Sequence, residues 1–215
     1  MRRPEKIVCV GQNYRAHTAE MGGAELPEPI LFGKFAVCAI GPGEPILLPP
    51  ESSHVDAEAE LAVVIGKQTR RVSRERALDV VAGYVCANDV SARDLQYGDG
   101  QWFRGKNFET FCPIGPGEPV SVSELGDGAG LRVVQRLNGE VLQDGNTRDL
   151  IFDVPYLVAF ASNLFTLEPG DLILTGTPAG VGWARDPRVS LKDGDVVEVE
   201  VEGIGVLSNP VVAER

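Results

Sequence analysis

Valine and glutamate alternate through "GDVVEVEVEGIGVLSNPVV", residues 194 to 212, setting Val197, Val199 and Val201 against Glu198, Glu200 and Glu202. A period of two residues belongs to a strand with one buried and one solvated face, and no helix can carry it. The C-terminal end is therefore committed to a sheet that needs an apolar partner layer. "LRVVQRLNGEVLQDG" adds a second such unit, because Asn138–Gly139 between two extended runs is a hairpin signal.

Upstream the punctuation is dense, with 25 Gly and 15 Pro spread along 215 residues. "KIVCVG" reads as a short buried strand. "QNYRAHTAEMGG" reads as a short helix, with Asn13 as N-cap and Gly22–Gly23 stopping it. Residues 24 to 53 alternate short strands with turns. Ser73 is placed to cap a helix through "RERALDVVAGY", while "VPYLVAFASNLF" is apolar at helical spacing and suited to pack on a sheet. "GDLILTGTPAGVG" is a strand entering a glycine-rich loop. The pattern predicts a β-rich α+β fold, with residues 46–215 as the main domain and a smaller N-terminal portion, residues 1–45, folding onto it.

Composition closes off several classes. A net charge of −11 argues against nucleic acid or an anionic membrane as partner. Cys9, Cys38, Cys86 and Cys112 form no CxxC pair and sit among apolar neighbours, as buried thiols in a reducing compartment do. The basic start "MRRPEKIVCVGQN" has too short an apolar run for a signal peptide, and no stretch suggests a membrane span. These readings predict a cytoplasmic protein. No GxGxxG and no Walker A loop occurs, so a nucleotide site is not expected.

The stretch "HVDAEAELAVVIGK", residues 54 to 67, turns from acidic to apolar. As a strand it puts Glu58 and Glu60 on one face and Ala59, Leu61, Val63 and Ile65 on the other. Asp89 ends another apolar run, "GYVCAND". These acids are either solvated strand ends or an oxygen-only site for a hard divalent cation. His17 and Glu20 share a helix face at i, i+3, as an exposed pair or as a dyad able to activate water. His54 reads as a loop residue near the acidic strand. Arg93, Arg104 and Lys106 supply cations among aromatic residues and glycines, and "LTGTPAGVG" offers Thr175, Thr177 and backbone N–H groups to an anion.

Six stretches in order, "CVGQNYRAHTAEMG", "EAELAVVIGK", "GYVCANDVSARDLQ", "RGKNFETFCPIGP", "LILTGTPAGVG" and "GDVVEVEVEGIGVLSNPV", together resemble the fumarylacetoacetate hydrolase superfamily from about residue 7 to 211. The compact members, acylpyruvate hydrolases, oxaloacetate decarboxylases and isomerase/decarboxylases of homoprotocatechuate breakdown, are the most similar. The resemblance implies a mixed β-sandwich roll, a homodimer, and Mg²⁺ (or Mn²⁺) at the site. It implies Glu58, Glu60 and Asp89 as metal ligands, and His17 with Glu20 as a water-activating dyad on a lid helix. Lys106 would hold the oxo-acid end of the substrate, with Arg93, Gln96 and Thr177 at or near it. The chain departs from many relatives in reading "KNFE", with Asn107 and Glu109, where they read Lys-Ser-Phe-Asp.

The expected activity is Mg²⁺-dependent C–C hydrolysis of acylpyruvate-type 2-oxo acids, releasing pyruvate through an enolate. The alternatives are 2-hydroxyhepta-2,4-diene-1,7-dioate isomerase/5-carboxymethyl-2-oxo-hex-3-ene-1,6-dioate decarboxylase activity and oxaloacetate decarboxylation, which use the same enolate. A non-catalytic metabolite-binding role would fit a site that had lost ligands, and here none is lost. Beyond the oxo-acid end, the pocket falls to loops such as residues 18 to 30 and 97 to 103.

Overall fold

The computed structural model describes residues 4–98 and 100–214. Residues 1–3, which hold part of the basic start, Asp99 in the loop of residues 97 to 103, and Arg215 lie outside the described residues. From the N-terminus run β1 (Ile7–Gly11), α1 (Arg15–Glu20), β2 (Ile30–Lys34), β3 (Ala39–Ile40), β4 (Ile46–Leu48), β5 (Val55–Asp56) and β6 (Ala59–Ile65). Next come β7 (Val81–Asn88), β8 (Ser91–Ala92), α2 (Arg93–Gly98), α3 (Trp102–Lys106), β9 (Cys112–Val120), α4 (Val122–Leu125), β10 (Arg132–Leu137) and β11 (Glu140–Asn146). The chain ends with α5 (Val154–Leu164), β12 (Leu172–Leu174), β13 (Val196–Val201) and β14 (Gly205–Ala213).

The fold is strand-rich α+β with a curled, half-barrel sheet. Its seven strands lie in the order β2-β1-β12-β6-β7-β9-β3, and five more lie as β11-β10-β13-β14-β4. The alternating valines of β13 are buried and its glutamates only partly so, because one face of this strand packs on the larger sheet. Val199 and Val201 share a core with Leu61, Val63, Ile65 and the α5 residues Leu157 and Val158. The β10–β11 hairpin turns at Asn138 and Gly139, both at positive φ (52° and 84°), the turn that matches strand twist.

The acidic strand differs from its sequence reading in one respect. It has no solvated face: every residue of β6 is buried. Ala62 and Val64, on the side shared with Glu58 and Glu60, join Ile7, Cys9, Val85 and Leu172 in a second core cluster. The carboxylates therefore cap an apolar column within the curl of the sheet, which is why they cannot be ordinary solvated acids. Glu58 itself precedes the strand, in the step between β5 and β6.

Two caps also come out differently. Ser73 opens only a 3₁₀ turn, Arg74–Val80, without a side-chain cap. The following "VAGYVCAN" is β7, because this strand-forming run gains ladder partners on both β6 and β9. Helix α1 starts after Tyr14, with no side-chain cap. Asn13 is drawn inward instead: its Nδ2 donates to the carbonyls of Phe152 (2.9 Å) and Thr175 (2.8 Å). The four cysteines are buried and free. Among the described residues no helix is long and apolar enough to cross a membrane.

Candidate active site

Strand ends deliver the acids. Glu60 is the second residue of β6, Glu58 lies just before the strand, and Asp89 follows β7. Pairing of β6 with β7 puts Ala59 opposite Asn88. Asp89 N donates to Glu58 O (2.9 Å), and Glu58 N donates to Asn88 Oδ1 (3.0 Å). One oxygen from each of Glu58, Glu60 and Asp89 lies within 4.8 Å of the others. Such proximity of buried carboxylates is costly unless cations neutralise them.

Protein cations supply part of that neutralisation. Lys106 Nζ, buried at the end of α3, donates to Glu58 Oε2 (2.9 Å) and Asp89 Oδ2 (2.7 Å). Arg93 Nη1 lies 2.6 Å from Glu58 Oε1. Burial alone would raise the Glu58 carboxyl, but Lys106 and Arg93 outweigh it and hold it well below the usual range. Glu60 is the opposite case. Burial, then the charges of Asp89 and Glu58, raise its carboxyl well above the ordinary value, against the Gly176 N–H that it accepts at 2.6 Å.

This donor set fits a hard divalent cation. It is oxygen-only and, with Glu60 raised, short of positive charge. Asp89 Oδ1, buried with Lys34 Nζ 2.7 Å away, accepts no directed hydrogen bond. The residues present therefore suit Mg²⁺ or Mn²⁺.

His17 and Glu20 come from α1. His17 Nδ1 lies 3.1 Å from Glu20 Oε2, while Glu20 Oε1 accepts the Gly180 N–H at 2.9 Å. His17, Glu58, Asp89, Arg93, Lys106 and Thr177 border one small recess. Gln96 borders it too, and its Oε1 accepts from Arg93 Nη1 (3.0 Å). Glu60 does not line the recess, but its carboxylate lies within 4.8 Å of those of Glu58 and Asp89, which do. Outer walls come from Met21, Tyr97 and Trp102, which fall in the loop stretches expected to vary.

Other candidates lie elsewhere or are already engaged. Arg104 is exposed on α3. His54 pairs with Ser53 Oγ (2.8 Å) and stands edge-on to Trp183, away from the recess. The Thr175 hydroxyl donates to Leu61 O and that of Thr177 to Ala59 O, each at 2.9 Å. The loop N–H groups do meet carboxylates, but the protein's own: Glu60, Glu20 and, through Gly182 and Trp183, Asp56. Asn107 joins β2 to α3, accepting from Phe35 N (2.7 Å) and donating to Gly33 O and Phe103 O (3.0 Å each). Glu109 is exposed.

Two residues escaped the sequence reading. Lys34 ends β2 fully buried and donates to the carbonyls of Val90, Lys106 and Phe111, with Asp89 Oδ1 2.7 Å away. Asp56 accepts from Arg93 Nε (3.0 Å) and Nη2 (2.9 Å) and from the Gly182 and Trp183 N–H groups. A lone lysine inside "ILFGKFAV" was the available signal, since lysine is almost never fully buried without a partner.

Comparison with known proteins places these features in context. The family model described as "Fumarylacetoacetate (FAA) hydrolase C-terminal" matches residues 6–212. Oxaloacetate tautomerase fahd2, mitochondrial, of Xenopus laevis is 49% identical over 211 residues, 97% of this chain and 66% of the relative. Oxaloacetate tautomerase FAHD2A, mitochondrial, of Homo sapiens is 48% identical over 212 residues, 98% of this chain and 67% of the relative. The chain thus spans about two thirds of the length of these curated relatives. A solved 5-carboxymethyl-2-hydroxymuconate delta-isomerase from Mycobacterium smegmatis superposes with a TM-score of 0.87 at 44% identity, over 99% of this chain and 80% of that one. The fumarylacetoacetate hydrolase of Exiguobacterium antarcticum gives 0.90 at 43% identity, over 99% and 76%.

Proposed function

This chain belongs to the fumarylacetoacetate hydrolase family, and from that premise we propose that it is an enzyme that enolises small 2-oxo acids, interconverting keto and enol forms of an oxaloacetate-type substrate. The observation that carries this reading is the His17–Glu20 pair, whose imidazole lines one small recess with Glu58 and Asp89, two members of a cluster of three carboxylates. Relatives named oxaloacetate tautomerase, and a solved isomerase of the same fold, support isomerisation over C–C hydrolysis.

Glu58, Glu60 and Asp89 would hold a divalent cation, which when bound supplies Lewis acidity toward the 2-oxo oxygen. His17 does the proton work. With Nδ1–H directed at Glu20, Nε2 is left as the acceptor. It takes a proton from carbon 3; that C–H pair forms the C2=C3 bond, and the carbonyl pair moves onto oxygen. Protonation of that oxygen gives the enol, and the reverse sequence restores the keto acid. Lys106 spends two N–H groups on Glu58 and Asp89 and keeps a third for the substrate's oxo-acid end. Arg93 and Gln96 complete the cationic and polar lining there.

Acylpyruvate hydrolysis is the second reading, favoured by the same dyad, because His17 oriented by Glu20 could take its proton from water. Buried free thiols suit a reducing compartment: the cytoplasm or, as the vertebrate relatives' names say of those proteins, the mitochondrion. A homodimer is part of this proposal, checked by light scattering.

The test follows loss of the carbon-3 hydrogens of oxaloacetate in D₂O by NMR, with Mg²⁺ and after chelation. Magnesium-dependent exchange without pyruvate release is the expected result. Release of pyruvate from acetylpyruvate faster than this exchange would replace the tautomerase by the hydrolase, and no acceleration of either would defeat both readings.

A further inference from the structure

Lys106 and Lys34 take one oxygen of Asp89 each. Lys106 Nζ lies 2.7 Å from Oδ2 and Lys34 Nζ 2.7 Å from Oδ1. The two ammoniums come from different elements, α3 and β2, and each ends a flexible four-carbon stem. Such a stem delivers its charge to a fixed point only when the backbone at its root is itself held.

Asn107 supplies that hold. Its Oδ1 accepts from Phe35 N (2.7 Å) and its Nδ2 donates to Gly33 O (3.0 Å), the main-chain groups on either side of Lys34. Lys34 in turn donates through Nζ to the carbonyl of Lys106, the residue just before Asn107. Each side chain thus grips the backbone from which the other springs, a reciprocal clasp between β2 and the end of α3. β2 is an edge strand, and the carboxamide gives it one further rung, because it offers a donor and an acceptor as a peptide group does. Asn107 Nδ2 also donates to Phe103 O (3.0 Å), across the last turn of α3. On the other side of Lys106, Gly105 is pressed on α2, where a Cβ would fall 2.7 Å from Gln96 N and from Ala92 O. Lys106 therefore stands between a neighbour packed on the helix of Arg93 and Gln96 and a neighbour tied to the strand of Lys34.

We propose that Asn107 is a positioning residue: it sets where the Lys106 ammonium stands, so that two N–H groups meet Glu58 and Asp89 and the third faces the oxo-acid end of the substrate. The inference rests on the role given to Lys106 in the enolising reading and deepens it. Asn107 does not line the recess, so it reaches the substrate only through Lys106. A displacement of about 1 Å at the lysine is enough to matter, since hydrogen bonds and reactive poses tolerate little more.

The test is a double-mutant cycle read by calorimetry on magnesium-loaded protein, with oxalate as an inert stand-in for the oxo-acid end. Asn107→Leu keeps the branching of the side chain and removes its donor and acceptor; it should weaken oxalate by roughly 3–30-fold. Lys106→Gln, one bond shorter and uncharged, should weaken oxalate by itself, and adding Asn107→Leu to it should weaken oxalate no further. Asn107→Ser, whose single hydroxyl cannot span Phe35 N and Gly33 O together, is the milder variant and should fall between wild type and Asn107→Leu. A merely structural role would lower the melting temperature and weaken oxalate by the same factor in both backgrounds. That additive result overturns the assignment, as does wild-type oxalate affinity in the Asn107 variants or in Lys106→Gln. The oxaloacetate exchange assay is independent of this cycle. Absent exchange with the coupling intact defeats the enolising reading alone, and intact exchange with an additive cycle defeats the role of Asn107 alone.

Discussion

Lys34 Nζ lies 2.7 Å from Asp89 Oδ1, yet its directed hydrogen bonds go to the carbonyls of Val90, Lys106 and Phe111. The lysine lends Asp89 its charge rather than a directed hydrogen bond. It also ties the end of β2 to the ends of β7 and α3. Lys34→Met should remove a buried charge from beside a buried carboxylate and cost about 3–5 kcal/mol in the metal-free protein. Denaturant unfolding measures this directly. Magnesium should recover part of the loss by binding the folded state, and an unchanged midpoint would show that the lysine is not needed to balance Asp89.

His17→Ala should lower keto–enol exchange by roughly 10²–10⁴-fold, the range for losing a positioned general base. Glu20→Gln keeps the hydrogen-bonding shape but removes the charge that orients the imidazole, so a smaller loss with a displaced pH profile is expected. Equal losses in both variants, with no movement of the profile, would mean that the pair serves the fold rather than proton transfer.

Asp56→Asn tests the support beneath Arg93. The substituted amide cannot accept from the guanidinium and from Gly182 and Trp183 N–H groups together. A stability loss of about 1.5–3 kcal/mol follows from weakening hydrogen bonds to charged groups. Substrate KM should rise as Arg93 loosens, and wild-type KM in a destabilised variant would refute the positioning role.

The raised carboxyl of Glu60 sets a pH dependence. Burial and the charges of Asp89 and Glu58 put its folded-state value above the ordinary 4.5. Protonation therefore favours the fold: that contribution is complete below the unfolded value and is lost as pH rises through the elevated one. A divalent cation replaces the proton, so stabilisation by Mg²⁺ should grow across the same interval. Melting curves with magnesium and with chelator, from acid to mildly alkaline pH, read this out. A magnesium effect independent of pH would place the cation elsewhere.

Much of the architecture was legible in local pattern. The valine–glutamate alternation became β13, Asn138–Gly139 became the hairpin turn, and the apolar helical spacing became α5. Ser73 misled because a good cap is a weak signal beside a strand-forming run that gains pairing on two sides. The order of motifs brought Glu58, Glu60, Asp89, His17, Arg93 and Lys106 to one place. It did not show Lys34 or Asp56, because their meaning depends on the sheet's curl. Only that curl lays the end of β2 against the end of β7 and the loop after β12 against both α1 and β5.

That loop has a consequence for how the site can fail. Its amides at Gly176, Gly180, Gly182 and Trp183 grip Glu60, Glu20 and Asp56. Short of proline, no exchange of side chains can delete a main-chain donor; it can only displace one. Glycine at three of the four positions reflects close quarters, since a Cβ at Gly180 would fall 2.3 Å from Leu142 O and one at Gly182 2.2 Å from Val189 O. The vulnerable quantity is length. A single-residue insertion or deletion between Gly176 and Trp183 would put base, cation cradle and arginine clamp out of phase together, so divergence at this site should proceed by all-or-none steps rather than by gradual loss of one function.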